Sequence, residues 1–483
     1  MGNLEELEQM EKEDLKSLGK TAEKKSKEDR IYYKADLDGV CDLVMDGKDV
    51  KYLMEDGEII DEIRSEDKVF SPPFKEDLDY LLPKVGDVIE EASKHHLDTV
   101  TTDTADVLQP SPLGCAYCKQ LYKELYLYHN KISELPSELY LDLLVFFDFH
   151  NYLIEKFNFS PILYFFADKE RGKTRTAKGL IYLARRGVMT ETLREANLIR
   201  WGRDHKATLL FDVKNFAKKL DLSQSEDLVY GRAERGVVAS RVLFPEKGAF
   251  RDTVRFEVFG ATIVTSNRML DDVGLSRTII IEMKPSEKIF KFEPTKENAL
   301  KLKTKLSGMR LAHLKDKFIE LDKEETGRIE DMLIGYRCMI KTLFPEKMDV
   351  YYKIKSLIKG QKTENALDSF EAQIMQIVLS QGNAVEEGSL TLTFDHICSL
   401  YNEGKPEKWH LSPQSLSKTL RGMGFTSKRN SDGDKRGIFY DIQLINRLKK
   451  IYGLEDIEGD GCTPSGVSDE SELIKEAEAI FDT

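Results

Sequence analysis

Pro161-Ile162-Leu163-Tyr164-Phe165-Phe166-Ala167-Asp168-Lys169-Glu170-Arg171-Gly172-Lys173-Thr174 is the stretch that decides how the chain is read, together with the helix-like run Ala177 to Arg185 behind it. An unbroken apolar run of this length reads as a buried strand, and periodic apolar residues after the turn read as a helix. Strand, turn and helix in that order aim unpaired backbone N–H groups and the positive end of a helix dipole at one point, which makes a cradle for phosphate.

The Gly-Lys-Thr ending assigns roles by adjacency. Lys173 reaches the outer phosphates, Thr174 ligates Mg²⁺, and Gly172, Arg175 and the backbone at Ala167 line the nucleotide, as in the P-loop of NTPases. The pattern departs from the usual one. Ala167 stands where the first loop glycine is expected, and Asp168, Lys169, Glu170 and Arg171 fill a loop that is ordinarily small and glycine-rich.

Four further segments extend the pattern. Thr208-Leu209-Leu210-Phe211-Asp212 is an apolar strand ending in a carboxylate, suited to hold the water shell of Mg²⁺. Val213 follows where a glutamate would polarise water, so the catalytic base stays unassigned, with Glu234 a speculative candidate. Ala261 to Arg268 is a third strand ending in a polar amide, Asn267, at the place where a P-loop ATPase would carry the residue that senses the γ-phosphate. Val242-Leu243-Phe244 and Val254 to Val258 flank a hairpin whose basic tip, Lys247, can grip a phosphate backbone. Arg277, just before the strand Thr278 to Glu282, fits a finger that reaches a neighbouring subunit's nucleotide.

These motifs in this order resemble the AAA+ ATPase domain of helicase-like replication proteins carried by phages, plasmids and integrative elements, often linked to a primase-polymerase. The resemblance covers about residues 120–340. It implies an α/β P-loop core that binds ATP and Mg²⁺, a hexameric ring of identical chains, translocation on single-stranded or forked DNA, and a possible primase-polymerase partner. Arg328, opening a helix in the lid, is the carry-over for sensor 2.

Length and charge set the frame. The 483 residues suggest three or four domains at about 100–200 residues each. The reading divides them into a charged leader (1–30), an acidic β-containing N-terminal module (31–110), a helical collar (111–160), the ATPase core (161–285), a helical lid (286–360), a winged helix (366–452) and an acidic tail (453–483). Within the module, Val50 to Met54 and Glu58 to Ile63 read as a hairpin across Asp56-Gly57. A polar break at Lys359-Gly360-Gln361-Lys362 is expected to open the last folded unit.

No apolar run nears the ~20 residues of a membrane span, and no signal-peptide core opens the chain, so a cytoplasmic protein without a membrane partner is expected. A net charge of −13 argues against indiscriminate coating of DNA. Residues 405–450, however, carry an excess of about seven basic charges, enough to meet a polyanion. Ser412-Pro413 starts a helix there, as N-cap and first helical residue. Gln414, Ser415, Lys418, Thr419 and Arg421 then suit a recognition helix, and Lys428, Arg429, Lys435 and Arg436 suit a wing on the DNA backbone.

Other signals are read structurally. Six cysteines are too few and too scattered for a disulfide framework. Cys115-Ala116-Tyr117-Cys118 is a lone CxxC with no second pair, and although His95 and His96 precede it, nothing in the spacing converges them, so no zinc site is expected. His150 reads as a hydrogen-bonded core histidine. The Val213 and Ala167 departures leave an alternative: a nucleotide-binding replication initiator or loader that hydrolyses weakly or not at all, or a structural ring subunit.

Overall fold

The apolar run ahead of the Gly-Lys-Thr turn is the Ile162–Phe166 strand, the first of five in a parallel sheet. The others are Gly187–Thr190, Thr208–Asp212, Thr262–Ser266 and Thr278–Glu282. In space they run fifth, first, fourth, third, second. Ile162 to Phe165 are buried because helices cover both faces of the sheet, and a strand covered on both sides needs an unbroken apolar run.

The computed structural model describes residues 30–65, 68–95, 99–100, 109–110, 115–243, 245–249, 251–367, 369–382, 390–429, 436–439 and 441–454. The charged leader up to residue 29, the acidic tail from residue 455, Lys435 and the side chain of Lys247 lie outside it. The chain divides into two units, Met1–Ile358 and Lys359–Thr483. No helix among the described residues is long and apolar enough to cross a membrane.

In the first unit, helices Ala116–Asn130 and Glu138–Tyr152 back the Lys173–Leu183 helix that follows the turn. The turn after the first of them packs closely on that helix: a Cβ at Gly179 would lie 2.4 Å from Ile132 Cδ1. His150, fully buried, is sandwiched between Phe157 and Tyr336 at ring distances of 4.8 and 4.6 Å. Its ring nitrogens have no hydrogen-bond partner, and burial holds its pKa down to about 3, so it is a neutral stacking element rather than the hydrogen-bonded histidine expected.

Residues 30–95 add a three-stranded antiparallel sheet, Val40–Asp46, Asp49–Met54 and Ile59–Ile60, and the helix Val85–Ser93. The Asp56-Gly57 turn is there, with Gly57 at φ +89°, but Ile63 leaves it for a separate strand, Ile63–Ser65. The module's acid meets buried arginines of the core. Arg186 binds the module's Asp36 through Nη1 at 2.9 Å and Asp42 through Nε at 3.3 Å, while Glu155 of the collar binds Arg185 Nη1 at 2.7 Å and Arg310 Nη1 and Nη2 at 2.7 and 2.9 Å. Burial alone would raise the pKa of Asp42, but Arg185, Arg186 and Arg310 outweigh it and hold the carboxyl below its usual range.

The core hairpin is Val238–Val242 paired with Thr253–Glu257. Its first strand ends at Val242, where the sequence reading had it begin, because Ala239 packs into the core while Val242 and Leu243 are exposed. Lys359 to Lys362 stand where the second unit begins, as expected, but without a break in the secondary structure. They continue the Met348–Leu367 helix, whose Tyr351, Ile354 and Ile358 are buried, so the interior Gly360 costs only about 1 kcal/mol against a well-anchored helix.

Candidate nucleotide site and nucleic-acid interface

Parallel α/β sheets place ligands beyond the carboxyl ends of their strands, and the Gly-Lys-Thr loop, Asp212 and Asn267 all emerge at that edge. Ala167 still belongs to the strand layer: it is buried and its N–H donates to Ser266 O at 3.3 Å. The loop is therefore Asp168 to Gly172. It turns through two left-handed residues, Glu170 at φ +62° and Gly172 at φ +76°. Glycine adopts this conformation without strain, whereas at Glu170 it costs about 1–2 kcal/mol.

Gly172 caps the Lys173–Leu183 helix, so the first-turn N–H groups, which have no intrahelical acceptors, face the loop's interior. Lys173 Nζ folds into the same space and donates to Ala167 O at 2.6 Å and to Asp168 O. Partial burial lowers its pKa, with Asp168 and Asp212 opposing.

Asp212 Oδ1 accepts from Thr174 Oγ1 at 3.3 Å and from Thr265 Oγ1. Thr265 was not a candidate in the sequence. It belongs here because the third and fourth strands pair Asp212 directly with Thr265. Two residues on, Asn267 holds a buried side-chain oxygen with no partner among the described residues. Val213 turns into the core, 2 % exposed, packing with Phe211 and Phe216.

Three expected contacts lie elsewhere. Arg175 is committed away from the loop: Nε donates to Ile132 O at 2.9 Å, Nη1 pairs with Glu293 at 2.5 Å and Nη2 reaches Phe292 O. Arg328 Nη1 pairs with Glu234 Oε2 at 3.0 Å, and Glu234 bridges Phe159, just ahead of the first strand. That is the opposite edge of the sheet from the loop, so neither Arg328 as sensor 2 nor Glu234 as base faces this chain's own Gly172. Arg277 lies at the same far edge. Its carbonyl accepts from Ile162 N at 3.0 Å, and its Nη1 donates to Val273 O at 3.0 Å. A five-residue strand at about 3.3 Å per residue separates it from the loop by about 16 Å.

In the second unit, helices Phe370–Gly382, Phe394–Asn402 and Pro413–Gly422 pack with a three-stranded antiparallel sheet and the closing helix Ile442–Tyr452. Ser412 Oγ accepts from Ser415 N at 3.3 Å, capping the Pro413–Gly422 helix. Leu416 and Leu420 are buried, which leaves Gln414, Ser415, Lys418 and Arg421 on the exposed face. Strands Ser427–Arg429 and Arg436–Phe439 form the hairpin expected here, with Lys428, Arg429 and Arg436 exposed. Arg429 lies directly opposite Arg436, and like charges in that register repel unless an anion lies between them.

A scan against protein-family models finds no match, and a search of curated proteins finds none either. Among solved structures, the chain is similar to the C-terminal region of NrS-1, with 11 % identity over 83 % of this chain and 96 % of that one, at a TM-score of 0.31. It is also similar to the SCCmec type IV Cch helicase, with 12 % identity over 88 % and 81 % at a TM-score of 0.33. The JCV helicase is similar at 16 % identity over 50 % of this chain and 65 % of that one, at a TM-score of 0.25.

Proposed function

We propose that the protein is an AAA+ ATPase that works as a ring, most simply a hexamer, to move along or open DNA, with the winged helix of residues 366–452 as its DNA-binding end. The observation that carries this reading is the division of the charged groups between two edges of one sheet. Lys173, Thr174, Asp212, Thr265 and Asn267 gather at the carboxyl edge, and Arg277 stands about 16 Å away at the opposite edge, a placement suited to another copy's nucleotide rather than its own.

The residues present fit ATP and Mg²⁺. A helix N-terminus is open, the Lys173 ammonium rests on carbonyls that a phosphate can replace, and Asn267 keeps an unpartnered oxygen. Thr174 and Asp212 would hold the metal, which when bound neutralises charge on the phosphates. Gly172 and the helix's first turn orient the phosphates, Lys173 stabilises charge on the outer ones, and Asn267 positions water or the terminal phosphate. The repelling Arg429 and Arg436 and the exposed Gln414, Ser415, Lys418 and Arg421 favour a phosphate backbone at the second unit.

A second reading has its own observation. Val213 is buried in the core at the position after Asp212 where a glutamate would polarise water, which favours a nucleotide-gated DNA binder that hydrolyses little. Steady-state ATP hydrolysis, with and without single-stranded DNA, separates the two. DNA-stimulated turnover supports the motor; ATP binding without turnover supports the initiator or loader.

A further inference from the structure

His95, Cys115, Cys118 and His313 come together in the first unit with their ligand atoms all within 4.8 Å of one another. All four are buried: the two cysteines are fully enclosed, and His313 and His95 are 1 % and 4 % exposed. His95 Nδ1 lies 3.5 Å from Cys118 Sγ and 3.9 Å from Cys115 Sγ, and His313 Nε2 lies 3.6 Å from Cys118 Sγ.

Those distances decide between two readings. Zinc bonds of about 2.3 Å to sulfur and about 2.0–2.1 Å to nitrogen at tetrahedral angles give sulfur–nitrogen edges of about 3.5–3.6 Å. Ordinary packing of thiols and imidazoles does not require four such groups to face one point. Among the described residues His95 has no other polar use: its Nδ1 faces both sulfurs and its buried Nε2 has no partner there. His313 shows the supporting feature of a metal ligand, since its other nitrogen, Nδ1, is held by Asp316 Oδ2 at 2.7 Å, which fixes Nε2 toward the sulfurs.

We infer that His95, Cys115, Cys118 and His313 form a structural zinc site. Four protein ligands close the coordination shell and leave no position for substrate, which is the mark of a structural rather than a catalytic site. The lone CxxC supplies a pair from the start of the Ala116–Asn130 helix, with Cys115 as its N-cap. His313 ends the Lys296–His313 helix and His95 follows the Val85–Ser93 helix. Those two helices already touch closely, since a Cβ at Gly308 would lie 2.6 Å from Glu91 Cβ. The metal pins the N-terminal module to the collar and lid, a need that arises because its own buried clusters are small.

The test uses the full-length wild-type chain. Elemental analysis after purification in zinc-supplemented medium should find about one zinc per chain, and exchange into Co²⁺ should give tetrahedral d–d absorption with a near-ultraviolet thiolate charge-transfer band. Cys115→Ser should cut that band to about half, since one thiolate of two remains. Stripping zinc with a chelator should lower the unfolding temperature and expose residues 30–95 to protease. A chain that takes up neither zinc nor Co²⁺ overturns the inference, as do a weak octahedral Co²⁺ spectrum and a Cys115–Cys118 disulfide in the metal-free native protein. If Cys115→Ser fails to fold, the wild-type Co²⁺ spectrum decides alone.

Discussion

Thr265 donates its hydroxyl to Asp212 Oδ1, the same oxygen that accepts from Thr174, so the carboxylate is held from the neighbouring strand as well as from the phosphate-binding turn. A metal bound by Thr174 and Asp212 would depend on the Thr265 hydroxyl for the orientation of the carboxylate. Thr265→Val removes the donor and keeps the shape. The Mg²⁺ concentration at half-maximal ATP binding should rise about fivefold, the worth of one hydrogen bond of about 1 kcal/mol, while metal-free nucleotide binding stays unchanged. Titration of Mg²⁺ against a fluorescent ATP analogue reads this directly.

Gly260 makes room for Arg232. A Cβ there would lie 2.7 Å from Arg232 Nη2, and the buried guanidinium donates to Val258 O, Ala207 O, Ala261 O and Thr262 Oγ1. Gly260→Ala should therefore destabilise the first unit by about 1–3 kcal/mol through overpacking, and Arg232→Met by more, because several buried carbonyls lose their donor. Denaturant unfolding of the nucleotide-free protein checks both.

The buried arginines predict the acid response. Burial opposes ionisation of Asp42 and Glu155, but Arg185 and Arg310, joined at Asp42 by Arg186, hold both carboxyls below their unfolded values of about 3.9 and 4.3. Below those values the unfolded chain binds protons that the folded chain refuses, so stability falls as pH drops from about 5 toward the folded values and is complete above that range. Asp42→Asn should flatten this part of the stability profile while lowering stability at pH 7, as measured by unfolding across pH 3–7.

For the second unit, replacing Lys418, Arg421 and Arg436 together by alanine should weaken binding to duplex DNA and reduce the slope of log affinity against log salt by up to about 2.7, at about 0.9 per lost phosphate contact. Ser412→Ala, which removes only the cap, should lower unit stability by about 1 kcal/mol without changing the slope. Fluorescence anisotropy over a salt series separates the two.

Four of the sheet's five strands were legible in the sequence because they are apolar runs ended by turn chemistry, whereas the short Gly187–Thr190 strand, with only Val188 and Met189 apolar, was not; the turn at Gly172 was legible because Gly-Lys-Thr forces a local geometry. Thr265 was not, since a threonine inside a strand is an ordinary strand former until pairing sets it beside Asp212. Arg175 was misread because adjacency to Lys173 says nothing of which face of the helix a side chain takes; Ile132 and Glu293 claim it from outside the local sequence. The four-residue thiol and imidazole cluster was hidden for the same reason, as His313 stands 195 residues from Cys118. Long-range packing brings these groups together, and spacing along the chain carries no trace of it.

The most direct test of the ring-ATPase account is DNA-stimulated ATP hydrolysis by Lys173→Ala and Arg277→Ala, each alone and then mixed. Each variant alone should lose at least about tenfold in turnover, and the mixture should recover activity, because a Lys173→Ala subunit can lend its Arg277 to a neighbour whose Lys173 is intact. An Arg277→Ala protein as active as wild type, or a mixture no better than its parts, would contradict the account.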